Sequence, residues 1–143
     1  MGYAGPVVTP ASTSEPLHPD YQPGVCNIGR SEVVSRRRIA YFGVAATVIL
    51  YGVLVALQAP PVARLLVGLP AALAAGSYLE SRERFCVLFG ATGVYNFGSV
   101  SAPNTKIPDR EAHALDVVRS RWMLTKTAAI AVLVAIVAAF LPI

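Results

Sequence analysis

Two cysteines and a histidine are the residues whose types and placement could combine to do chemistry. Cys26 precedes one long apolar run and Cys86 follows a second, so a two-helix hairpin would return both thiols to the same side of a membrane. His113 falls on that side too. A thiol pair so placed could exchange disulfides, carry sulfur or bind metal. Arg30 and Arg84 are the nearby cations able to favour a thiolate. A zinc site, however, takes four ligands and close pairs such as Cys-x-x-Cys, which are absent, so no metal site is expected. The competing reading is two reduced interfacial thiols, one of them acylated.

No other constellation points to a reaction. Gly90, Gly93 and Gly98 are not followed by a Lys-Ser or Lys-Thr pair and do not sit between a strand and a helix, so they read as loop glycines. There is no Gly-x-Ser-x-Gly elbow, and neither His18 nor His113 has an evident nucleophilic partner. The sequence therefore predicts no catalytic residue and no cofactor.

The elements that would position these residues are set by composition. Of 143 residues, 55% are hydrophobic and only 14% charged. Soluble domains carry roughly 25% charged residues. A chain this poor in charge exposes too much apolar surface in water, whereas a bilayer accepts it. The net charge of +4 does not imply nucleic acid as a partner, because the basic residues cluster at the ends of apolar runs. There they meet anionic lipid and set topology, so the bilayer is the expected partner, with other membrane proteins as candidates beside it.

Residues 1–25 contain prolines at 6, 10, 16, 19 and 23, and lack the early apolar stretch of a signal peptide. They read as a disordered tail. In residues 26–38, Ser31 is the expected cap of a short helix leading into Arg36, Arg37 and Arg38. Residues 39–57 carry no charge and are long enough to cross a ~30 Å hydrocarbon core. Gln58, Ala59, Pro60 and Pro61 end that span. Residues 62–79 form a second span, with Arg64 snorkelling from its start and Pro70 kinking its middle. Arg82 and Arg84 close it. The loop that follows holds Phe85, Phe89, Tyr95 and Phe97, aromatic residues suited to the headgroup layer.

Asp109 is the expected cap of an amphipathic helix. Its apolar face is Ala112, Leu115, Val118 and Trp122, with Trp122 as interfacial anchor. A third span, about 125–143, follows and can continue the same helix. The fold expected is all-α: three transmembrane helices, a disordered tail and a loop, 80–124, carrying the amphipathic helix. Four cationic residues precede the first span, seven lie between the second and third, and Arg64 alone lies on the other side. That bias predicts a cytoplasmic N-terminus and a multi-pass protein of the cell membrane, the inner membrane of a bacterium. Arg36, Arg37, Arg38, Arg82, Arg84 and Trp122 are the expected topology and lipid contacts.

Gly68, Ala72 and Gly76 lie four apart on the second span, as Ala131, Ala135 and Ala139 do on the third. Such stripes let helices approach closely, within one chain or in a dimer. The span interiors hold no Asp, Glu, Lys or His, which argues against an ion-coupled transporter.

Asn27-Ile28-Gly29-Arg30, the basic residues after it, two spans, and Cys86 with Phe89-Gly90 together resemble the small two-helix domain of unknown function found in YgaP-like inner-membrane proteins. Those show Asn-x-Gly before the first span and Cys-Pro soon after the second. Here Val87 replaces the proline, and a long loop and third span are added. The resemblance covers 26–90 and implies a membrane hairpin. Some members join it to a sulfurtransferase domain, which this chain lacks. The function expected is a non-catalytic accessory or scaffold subunit of a membrane complex. The alternative is a thiol-dependent redox or sulfur-handling protein using Cys26 and Cys86.

Overall fold

The computed structural model describes residues 17–142. Three helical rods, long and apolar enough to cross a membrane, dominate it: Arg30–Ala56, Pro61–Glu83 and Arg110–Phe140. The first, α1, runs Arg30–Ala56. It begins at Gly29 rather than at Ser31, which lies inside the first turn. The Ser31 hydroxyl does not cap the helix, because Gly29, whose N–H is held by the Asn96 carbonyl, already stands at the cap position. At the other end Gln58 takes a left-handed conformation (φ 53°). Its N–H bonds to the Val55 carbonyl and that of Ala59 to Leu54, which satisfies carbonyls the helix leaves open.

The second rod is not one regular helix. A short turn α2, Pro61–Arg64, passes through a 3₁₀ stretch, Leu65–Val67, into α3, Gly68–Glu83. Pro61 starts it where its missing N–H is harmless. The irregularity falls just before Pro70, which cannot donate to the Leu66 carbonyl and whose ring crowds it. Arg64 reaches back to the Ala59 carbonyl (3.1 Å) and on to that of Leu141 (3.5 Å), tying the turn to the end of the third rod.

The third rod, α5, runs unbroken over Arg110–Phe140 and merges the amphipathic helix with the last span. Asp109 caps it by accepting from the Glu111 N–H (3.0 Å). At ~1.5 Å per residue its length is roughly 46 Å, well beyond a ~30 Å hydrocarbon core, so its first turns stand outside the apolar layer. Ile143, the end of the expected span, lies outside the described residues.

α3 is the middle helix, packing against α1 on one side and α5 on the other. Small residues permit this. A Cβ added at Gly43 of α1 would stand 2.8 Å from the Ala74 nitrogen of α3. A Cβ at Gly68 would stand 3.1 Å from that of Ala135, and one at Gly76 would meet Thr127. The two small-residue stripes thus face each other inside one chain. Large apolar residues such as Phe42, Val48, Leu69 and Leu133 point outward.

At the arginine-rich end the chain between the rods folds into a compact cap. It contains α4 (Val87–Thr92), then β1 (Val94–Tyr95) paired antiparallel with β2 (Thr105–Lys106). Two expectations fail here. The expected disordered tail ends no later than Leu17, for Leu17–Val25 packs on the cap and Tyr21 is buried against Tyr95 and Ala112; residues 1–16 of that expectation lie outside the described residues. Three of the four loop aromatics do not face a headgroup layer either. Phe85, Phe89 and Tyr95 are buried within the cap, where packing removes them from both water and lipid.

The apolar face expected at the start of α5 divides, Ala112 turning into the cap and the rest outward. Its buried residues are Ala112, Asp116, Ser120 and Met123, whereas Leu115, Val118 and Trp122 are exposed. Beside a membrane the apolar face can look outward, and the polar face finds partners in the cap.

Candidate functional site at the arginine-rich end

The cap is assembled around a short extended segment, residues 26–29. Gln22 and Cys26 pair across a tight turn in which Gly24 has a positive φ of 69°. Next, Ile28 pairs in parallel with Asn96: the Gly29 N–H donates to the Asn96 carbonyl (2.8 Å) and the Asn96 N–H to the Asn27 carbonyl (3.0 Å). On the opposite edge the Asn27 N–H donates to the Arg84 carbonyl (3.2 Å). A Cβ at Gly29 would stand 2.8 Å from the Phe97 Cα, so only glycine allows the approach. The Asn96 side chain shapes the next loop, accepting from the Gly98 N–H and donating to the Ser99 and Ala102 carbonyls.

Asn27, fully buried, clamps the chain on the far side of the hairpin. Its Nδ2 donates to the Cys86 carbonyl (3.1 Å) and its Oδ1 accepts from the Cys86 N–H (2.7 Å). One amide thereby satisfies both backbone groups of a residue 59 positions away.

An ionic network continues from there. Arg36 of α1 faces inward and meets Glu80 of α3 (Nη1 to Oε2, 3.1 Å) and Glu32 one turn back (Nε to Oε2, 3.6 Å). It also donates through Nη2 to Cys86 Sγ at 3.3 Å. The other Glu80 oxygen accepts the Val87 N–H (3.0 Å) and so anchors the first turn of α4. Glu32 and Glu80 are both buried, and a buried carboxylate needs such partners. α4 is locked to α5 by Ser120, which donates to the Val87 carbonyl (3.0 Å), and by Gly90, where a Cβ would collide with that hydroxyl.

Asp116, fully buried on α5, fastens the N-terminal segment. It accepts from the Tyr21 hydroxyl (2.8 Å) and from the Gly24 N–H (2.6 Å). Burial, and next the Asp116 hydrogen bond, push the Tyr21 phenol well above its ordinary value. Glu83 pairs with Arg119 and with Lys126 (3.5 Å), and Lys126 lies over the Trp122 ring at 6.0 Å.

The two cysteines reach this end of the molecule as free thiols in separate settings. Cys26 is half-buried, with Sγ toward the Ile28 carbonyl (3.6 Å). Cys86 is fully buried beside Ile28 and Phe89. Burial is the main cause that raises both thiol pKa values. At Cys86 the Glu80 carboxylate adds to the rise and the Arg36 guanidinium opposes it. A thiol held protonated near neutral pH is a weak nucleophile. His113 instead places Nε2 3.2 Å from the Ala91 carbonyl.

The expected lipid-contact residues divide. Arg36 is engaged internally, whereas Arg37, Arg38, Arg82, Arg84 and Trp122 are exposed. Gly68, Ala72 and Gly76 line the side of α3 toward α5 or stand near it, with Gly68 and Gly76 in the close approaches described above. Asn96, Asp116 and Ser120, which carry much of the cap, were not anticipated. The one available signal was Ala112, Asp116 and Ser120 recurring every four residues, a small and polar stripe suited to close packing. Comparison with protein-family models, with curated proteins and with solved structures gave no match for this chain.

Proposed function

We propose that this chain is a non-catalytic accessory or scaffold subunit of a membrane complex, with its arginine-rich cap on the cytoplasmic side of a cell membrane. The observation that carries the reading is the use made of the buried polar residues. Asn27, Glu80, Asp116 and Ser120 each bond to backbone across the cap, and Glu32 pairs with Arg36, which itself reaches Glu80. A buried network of this kind fixes shape. Here it holds a rigid surface at the mouth of three lipid-covered helices. The seven cationic residues between the second and third spans favour the cytoplasmic side for that surface. Asn27 and Cys86, two of the residues behind the likeness to the YgaP-like hairpin, have a joint structural role in this fold, and kinship with that hairpin is part of the proposal.

A thiol-dependent function is the second reading, favoured by the 3.3 Å contact of Arg36 with Cys86 Sγ, a cation placed to stabilise a thiolate. Replacing both cysteines by serine in the full chain separates the two. Partner recovery from native membranes in mild detergent is expected to be unchanged by the Cys26→Ser, Cys86→Ser double variant. Loss of the partner from a variant that keeps its helical signal and melting temperature would transfer the conclusion to the thiol reading.

A further inference from the structure

A groove of about 860 Å³ opens between the first turns of α1 and the end of α3. Arg30, Val33, Val34 and Arg37 line it from α1, at the i, i+3, i+4, i+7 spacing that puts them on one helix face. Arg82 and Arg84 line it from the other wall. All four arginines are exposed, and among the described residues none of them pairs with a carboxylate. Two acids also border the groove, but Asp20 is exposed at its rim and Glu83 is engaged by Arg119 and Lys126. The lining is therefore strongly cationic where it is free to bind.

Two further observations point the same way. α1 has no side-chain cap at Gly29, so the positive end of a 27-residue helix opens onto the groove, and the one acid of its first turn, Glu32, is buried and paired with Arg36. Arg84 occupies a left-handed conformation (φ 53°), a position that glycine fills at lower cost, and so holds a guanidinium at the groove wall against a local backbone preference.

We propose that this groove is a phosphate-binding site, taking the phosphate of an anionic phospholipid headgroup. Arginine forks match phosphate oxygens in paired hydrogen bonds. The valines between Arg30 and Arg37 offer an apolar strip for the part of the ligand next to the phosphate. The groove lies where the apolar rods give way to the polar cap, the level at which headgroups sit.

The test uses the full chain in phosphatidylcholine nanodiscs, offered phosphatidylglycerol and, separately, excess inorganic phosphate, with bound lipid read by native mass spectrometry after release. Wild-type protein is expected to retain phosphatidylglycerol over phosphatidylcholine by about tenfold. The Arg30→Gln, Arg37→Gln pair and the Arg82→Gln, Arg84→Gln pair should each abolish most of that preference. The Arg38→Gln, Arg110→Gln pair, which removes the same charge outside the groove, should keep it. Two paired variants are used so that, if one fails the thermal-unfolding check, the other decides. A rise in melting temperature with inorganic phosphate that the groove variants lose, without lipid preference, would assign the same site to a free phosphate. Equal lipid retention by groove and control variants, or no response to either ligand, overturns the proposal.

Discussion

The side-chain amide of Asn27 bonds to both backbone groups of Cys86, at 2.7 Å and 3.1 Å, and so joins the segment before the first rod to the segment after the second. Every other part of the cap is built outward from this clamp. On one side lies the parallel pairing with Asn96. On the other lies the Arg36 network, which reaches the Cys86 thiol itself.

Asn27→Ala should therefore be among the most damaging single changes. It leaves the buried Cys86 N–H without a partner, at roughly 1–3 kcal/mol, and leaves the Cys86 carbonyl with only the Gly90 N–H (2.9 Å). Hydrogen exchange at the Cys86 and Val87 amides is expected to accelerate far more than exchange in the middle of α1. Unchanged protection at Cys86 would show that the clamp does not hold the cap.

The Cys86 thiol makes stability depend on alkaline pH. Its folded-state pKa is raised above the ordinary 9.0, chiefly by burial. For an acid shifted upward the folded chain keeps its proton longer than the unfolded chain. Its contribution is thus complete below the unfolded pKa and is lost as pH rises through the folded pKa. Melting temperature should fall across that alkaline window in wild-type protein and fall less in Cys86→Ala. Identical slopes would place the thiol in a more open setting than the one described.

Helix crossing gives a prediction with its own control. At Gly43 a side chain has no room against the Ala74 backbone, while a Cβ at Gly52 meets nothing within 4 Å. Gly43→Val should destabilise the α1–α3 pair by about 2 kcal/mol or more, since overpacking forces the backbones apart. Gly52→Ala should be neutral or slightly stabilising. Denaturation in a mixed micelle measures both.

Arg84→Gly separates stability from binding. Glycine relieves the left-handed backbone, so the variant should gain up to about 1 kcal/mol, as should Gln58→Gly. Arg84→Gly alone should also weaken retention of the anionic lipid. A variant that loses stability would mean that the Arg84 side chain supports the fold.

The three rods were legible in the sequence because each depends on a local property, a long apolar run almost free of charge. Asp109 as a cap and Pro70 as an irregularity were legible for the same reason, since their effects fall within one turn. The cap was not. Tyr21 finds Asp116 and Asn27 finds Cys86 across separations of 95 and 59 residues, and no periodicity links such pairs. At the start of α5 the outward apolar residues Leu115, Val118 and Trp122 were legible by their helical spacing, but the polar stripe of Asp116 and Ser120 opposite them was not, since its partners lie in the cap. The proline-rich start concealed Tyr21 and Gly24, which are held by Asp116, by packing of Tyr21 on Tyr95 and by the Gln22–Cys26 turn.

The central claim is that the cap presents a fixed surface to another membrane polypeptide. The most direct test is the mass of the particle that carries this 15.1 kDa chain when it is extracted from its native membrane in mild detergent. The account predicts a discrete complex in which a second polypeptide is present at constant ratio, and which Asn27→Ala disperses. A particle holding only this chain, alone or with copies of itself, would contradict it.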